Sequence, residues 1–263
     1  MSLQRCLAVF RRHFYVSLHS PPMLFDLLVW PLLDLMIWGL LTLFIEKQQQ
    51  ALPMPVGFLL GGVLLWDLLF RANLGISIAF LSDASWSKNL INLLVSPLRP
   101  IEYLGGALIF TAYKLALGWT VMVLGAWLLF SFDVFTVGVV LALLIVIVMV
   151  FGVAMSMVVL GIVLRYGEGA DILAWGLAGI ISPLAAVYYP VSVLPRWLEV
   201  IALAMPPAHV FEAMRAVLAG RPVPWGSVAV ACLLDVVYLA ASLAFVNHMF
   251  RIHSRRGFVT RYM

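Results

Sequence analysis

Charged side chains interrupt the most apolar stretches of this 263-residue chain, and they are the first candidates for chemistry. Asp67 and Arg71 stand four residues apart in one apolar run, so on a helix they are neighbours on one face. A charge at the centre of a bilayer costs about 2.5–3.5 kcal/mol on insertion scales, so each needs a partner or a use. Asp67 and Arg71 can neutralise each other and lock helices together, or present a polar patch to a path or to a second copy. Asp34 and Asp235 lie in two other apolar runs, Lys114 in a third, and Asp26 near the start of the first. Asp34 or Asp235 could pair with Lys114 or Arg71 as an interhelix bridge. A proton relay through Asp34 or Asp235 is the sharper alternative.

Other chemistry has little foothold. A phosphate-cradling P-loop needs glycine followed by lysine, and none of Lys47, Lys88 and Lys114 follows a glycine. ATP is therefore not expected on this chain by that motif, and any ATPase must be a partner. His13, His19, His209, His248 and His253 are scattered, HExxH and GxSxG are missing, and no metal site or directly bound cofactor is expected. Cys6 and Cys232 lie at opposite ends, so no disulfide framework is implied.

The elements that must hold these charges belong in lipid. The chain is 64% hydrophobic and 11% charged, with a mean hydropathy of +1.08. A soluble domain carries about 25% charged residues. The net charge of +4 is small and gives no reason to expect nucleic acid. The expected fold is an all-α integral membrane domain over residues 1–263, with six spans near 24–45, 56–81, 103–130, 134–164, 170–187 and 225–250. Leu3, Leu7, Phe10 and Phe14 follow helical spacing, so residues 1–20 read as an amphipathic helix at the membrane interface. Gly57 and Gly61 form a small-xxx-small pair that permits close helix approach. Six prolines between 188 and 224 break the outer segment into short helices that dip without crossing. With the N-terminus inside, the inner segments carry Arg5, Arg11, Arg12, Lys88, Arg99, Arg165, Arg251, Arg255, Arg256 and Arg261. The outer segments then carry Lys47, Arg196, Arg215 and Arg221. That asymmetry places both termini in the cytoplasm.

Two segments go beyond a generic membrane protein. One runs Ser85-Trp86-Ser87-Lys88-Asn89-Leu90-Ile91-Asn92-Leu93-Leu94-Val95-Ser96-Pro97 within the inner loop 82–102. The other joins Ser182-Pro183 and Tyr189-Pro190 to Pro206-Pro207-Ala208-His209-Val210-Phe211-Glu212-Ala213-Met214-Arg215. With the six-span layout and the surface helix, they resemble the permease subunits of type-2 ATP-binding-cassette exporters. That family exports drugs, polysaccharides, teichoic-acid-like glycolipids and lipo-oligosaccharides.

The resemblance implies a coupling helix that touches the ATPase through Trp86, Asn89, Leu90, Leu93, Leu94 and Pro97. It implies an outer gate formed by re-entrant helices in 188–224, with Tyr189, Pro190, Glu212 and Arg215. It further implies a homodimer of permeases in a bacterial inner membrane, two copies of a separate ATPase subunit holding ATP and magnesium, and an amphiphilic cargo. The blander alternatives are a loop helix resting on lipid and an outer cap that only packs. Two rival functions are a proton-coupled secondary transporter, which needs Asp34 or Asp235, and an intramembrane lipid-modifying enzyme. The enzyme requires polar catalytic groups clustered at one membrane depth, and none is evident.

Overall fold

A computed structural model describes residues 2–48, 57–83, 89, 92, 95–166, 168–170 and 172–256. Among them every regular element is helical. In chain order these are α1 (Leu3–Leu18), α2 (Pro21–Gln48), α3 (Gly57–Leu81), α4 (Pro100–Phe130), α5 (Val140–Tyr166), α6 (Ile172–Leu184), α7 (Arg196–Leu203), α8 (Pro206–Leu218) and α9 (Trp225–Arg256). Helices α2, α3, α4, α5 and α9 are long and apolar enough to cross a bilayer. The chain is a multi-pass membrane protein.

Local chemistry sets the boundaries. Pro21, Pro100 and Pro206 open α2, α4 and α8, where a missing N–H costs nothing. Ser131 ends α4 in the left-handed region at φ 51°, and its N–H reaches the Trp127 carbonyl at 3.1 Å. The Asp133 carboxylate accepts from the Phe135 N–H at 2.8 Å and starts a 3-10 turn, Val134–Val137. Gly138, at φ 75°, then breaks into α5.

α3 and α5 form the buried centre. α2 and α4 cover α3, α9 covers α5 and α8, and α1 lies on α4. The outward faces of α2, α4 and α9 expose Ile37, Leu128 and Val236, as a lipid-facing surface should. Lipid gives helices no hydrophobic reason to associate, so close packing has to do it. Gly152 shows how close: a Cβ there would lie 2.6 Å from the Ala72 Cβ and 2.7 Å from the Leu69 carbonyl oxygen. One turn on, the Ser156 hydroxyl accepts from the Ile76 and Ser77 N–H groups at 3.1 and 3.0 Å.

Several elements differ from their sequence reading. The run at 134–164 begins as the 3-10 turn, and its helix starts only at Val140. The run at 170–187 yields a helix of 13 residues, about 20 Å long at 1.5 Å per residue, against about 30 Å of hydrocarbon. It stops because Ala186 turns to φ 55°. The outer segment holds α7 and α8, bent by 95° at the break before Pro206-Pro207. On α1 the face buried against the protein is Cys6, Val9, His13 and Ser17, a contact the sequence reading did not assign. Leu3 is exposed, while Phe10 and Phe14 pack at its flank against Tyr113. Gly106 explains the choice, because a Cβ there would meet the Cys6 carbonyl oxygen at 2.6 Å. The backbone of α1 therefore sits directly on α4. Gly57 and Gly61 face the side chains of Phe132 and Met214; the backbone approach falls one residue later, at Gly62.

Candidate functional site

Three polar constellations punctuate the apolar body. The first joins α1 to both ends of the loop 82–102, the inner loop of the sequence reading. At the near end Asp83 is 1% exposed. Its carboxylate meets Arg12 at 2.6 Å and His13 at 3.3 Å, and accepts from the Tyr103 hydroxyl at 2.9 Å. Burial alone would raise the Asp83 pKa. Hydrogen bonds and positive charge from His13 and Arg12 outweigh burial and hold it below its ordinary value. The Asp83 carbonyl also accepts from the Asn89 N–H at 2.8 Å. The Asn89 side-chain amide, with its oxygen turned toward α1, lies 3.1 and 3.2 Å from the Arg12 guanidinium nitrogens.

At the far end, Arg5 donates to the Pro97 carbonyl at 2.8 Å and to Glu102 at 3.2 Å. Glu102 also accepts from the Ser2 and Arg99 N–H groups at 2.8 and 3.1 Å. One helix therefore clasps the loop where it leaves α3 and where it enters α4. Asn89 and Pro97 stand at this clasp; Trp86, Leu90, Leu93 and Leu94 lie outside the described residues. Sequence reading treated Arg5 and Arg12 as orientation charges only. The signal available was an acid at each end of the loop, Asp83 and Glu102, facing an arginine-rich helix.

The second constellation lies within the spans. Arg71 Nε donates to both Asp67 oxygens at 2.8 and 2.9 Å. Its Nη1 reaches the Asp26 carbonyl at 3.3 Å and the Asp26 carboxylate at 3.9 Å. Asp67 and Arg71 are thus a self-paired unit tied to α2 through Asp26. Among the described residues, the envisaged bridges from Asp34 or Asp235 to Lys114 or Arg71 are not made, and Arg71 pairs with Asp67 and Asp26 instead. Asp235 is 5% exposed, and its Oδ1 has no hydrogen-bond partner.

The third constellation ties down the loop before α7, the outer loop of the sequence reading. Glu212 accepts from the Val191 N–H at 2.8 Å and from Arg215 at 3.0 Å. Arg215 is 3% exposed and donates to the Val187 carbonyl at 3.3 Å. The same carbonyl seats on Gly62, where an added Cβ would lie 2.8 Å away. Tyr188 stacks on Trp38 of α2 with centroids 4.0 Å apart, and the Tyr189 hydroxyl donates to the Pro183 carbonyl at 2.6 Å. Pro190 caps the 3-10 turn Val191–Val193. Glu212, Arg215, Tyr189 and Pro190 thus meet around one loop that contacts α2, α3 and α8. Sequence reading missed Trp38, Gly62 and Val187, because a carbonyl seat and a ring stack leave no spacing signature.

Among the described residues, an apolar helical body thus carries one loop clasped to α1 and another tied to α2, α3 and α8. Residues 4–219 match the profile of the ABC-2 type transporter, so the chain belongs to that family. It is a permease of a type-2 ABC transporter. A comparison with curated proteins found no match.

Proposed function

We propose that this chain is the permease of an exporter that moves an amphiphilic cargo outward, driven by ATP hydrolysis on two copies of a separate subunit. Two permeases would pair in a bacterial inner membrane with all termini in the cytoplasm. The single observation that carries the reading is the clasp between α1 and both ends of the inner loop. A motor gripping that loop meets Arg12–Asp83 on one side and Arg5–Glu102 on the other, so a push there moves α1, α3 and α4 together. The tied outer loop supplies the complementary closure, and cargo gains passage when the two ends exchange states. Asp67 and Arg71, already paired, would hold α2 and α3 in register during that exchange.

The decisive experiment uses Val95, which is 79% exposed just before the clasp. A Val95→Cys protein should cross-link to its ATPase, and the assembled complex should hydrolyse ATP faster when cargo is present. ATP hydrolysis by this chain alone, or transport without any ATPase, would overturn the proposal.

A further inference from the structure

α2 carries one charge that none of the three constellations uses. Asp34 stands near the middle of the span Pro21–Ile45 and is partly exposed. Among the described residues no basic side chain forms an ion pair with it. The cations nearby are already matched. Asp26, Arg71 and Lys114 meet where α2, α3 and α4 join, and Asp67 closes on Arg71. Two carboxylates thus offset two cations, and Asp34 is the charge in excess. Lipid offers a mid-bilayer carboxylate no partner, so such a residue calls for a polar path or a ligand.

Its neighbours along the helix are two indoles. Trp30, Asp34 and Trp38 follow at four-residue spacing within α2, so they stand in a row on one face. Trp30 is 48% exposed, and Trp38 is partly exposed. Each lies one turn from Asp34, about 6 Å along the axis. Tryptophans that anchor a helix sit at the two ends of about 30 Å of hydrocarbon. These two flank its middle instead. The row follows the edge of α2 beside α3 and the loop at Tyr188. Trp38 stacks on Tyr188 with the rings 11° from parallel, and Asp34 acts through space on both Tyr188 and Arg71. Three and seven residues on from Asp34, Ile37 and Leu41 expose apolar surface.

These features select a ligand by charge. A carboxylate with an indole one turn away on either side offers an ion pair together with cation–π attraction, and tryptophan is the best ring for that contact. An ammonium or phosphonium group satisfies both, and its apolar substituents can lie against Ile37 and Leu41. A phosphate or carboxylate head group would meet repulsion from Asp34. We infer that Trp30, Asp34 and Trp38 form a subsite for the cationic head of a lipophilic organic cation. The inference rests on the exporter reading and narrows its amphiphilic cargo to that charge class.

The test uses the full chain in a neutral detergent, with equilibrium dialysis against a blank of protein-free micelles. Tetraphenylphosphonium and tetraphenylborate, near-identical in shape and opposite in charge, are the probes. Wild type should hold the phosphonium about tenfold more tightly than the borate, the ratio that one charge-assisted contact supplies. Asp34→Asn should abolish that preference and Asp34→Glu should keep it. Trp30→Leu should weaken phosphonium binding about threefold, the worth of one cation–π contact. Glu199→Gln removes the same charge elsewhere and should change nothing. Equal binding of the two probes by wild type would mean that Asp34 holds a proton in place of a ligand, and it would overturn the inference. So would an unchanged preference in Asp34→Asn, unchanged affinity in Trp30→Leu, or a preference lost equally in Glu199→Gln. The wild-type comparison needs no variant, so a poorly folding Asp34→Asn leaves the test intact. Binding is read without an ATPase. Failure here leaves the exporter proposal standing, and failure to recruit an ATPase leaves this result standing.

Discussion

Asp83 gathers Arg12, His13 and Tyr103 around one buried carboxylate, and its removal should be costly. Asp83→Asn leaves two basic groups facing a neutral amide. Breaking a buried pair in this way costs about 3 kcal/mol, and α1 should become sensitive to protease at conditions where wild type is resistant. The pH dependence has a definite sign. The folded pKa of Asp83 lies below its ordinary value of 3.8, so the stabilisation is fully present above that value. It drains away as pH falls from there through the lower folded pKa. Amide-exchange protection of α1 should therefore stay level from neutral pH to mildly acidic pH and fail only under stronger acid. Loosening already near neutrality would contradict the assignment. Asp235 is the opposite case, a buried carboxyl with an oxygen lacking any partner. Asp235→Leu should raise the unfolding free energy by about 1–3 kcal/mol, the cost of an unsatisfied buried group, and leave ATP-driven transport working. Abolished transport in a well-assembled Asp235→Leu protein would favour the proton-relay alternative instead.

Among the elements, α3 and α5 depend on a backbone-to-backbone approach, and α8 holds the loop before α7 through Arg215 and Glu212. Gly152→Leu forces a large side chain into a space bounded by Ala72 and the Leu69 carbonyl. Overpacking of this kind costs about 1–3 kcal/mol or more, which detergent unfolding would register as a lower midpoint. Arg215→Ala strips the Val187 carbonyl and Glu212 of their shared donor. Hydrogen bonds to a charged group are worth about 1.5–3 kcal/mol each, so Ser192→Cys in that background should react with a maleimide at least about tenfold faster. An unchanged rate would mean that Gly62 and the Trp38–Tyr188 stack hold the loop without help. The sequence made the long helices legible because about 20 consecutive apolar residues leave few alternatives. It gave no sign of the face that α1 turns to α4, which follows glycine at 106. The length of α6 was equally hidden, since Ala186 at φ 55° carries no residue-type warning.

For the whole molecule, topology is the open mechanical question with a clean answer. Both termini on one side require an even number of crossings. Five helices are long enough, so a sixth crossing would have to come from α6 with the loop after it or from the bent pair α7–α8. Tags on the two ends should then be shielded alike from an impermeant reagent in intact cells. Opposite accessibility would leave an odd number of crossings, five with neither segment spanning. The polar sites were only partly readable at this scale. Asp67 and Arg71 announce each other by spacing. Asp26, Arg71 and Lys114 converge from three separate helices, and a linear chain carries no mark of that meeting.

The clasp has one more implication. Because Asp83 and Pro97 are fastened to the same rigid rod, anything gripping the stretch between them holds a stirrup, not a rope. Tugging it cannot simply pay out slack; it tips α1, and the torque arrives at α3 and α4 in the same instant. Severing Arg5 from both Pro97 and Glu102 would turn the stirrup into a strap held mainly at the Asp83 end.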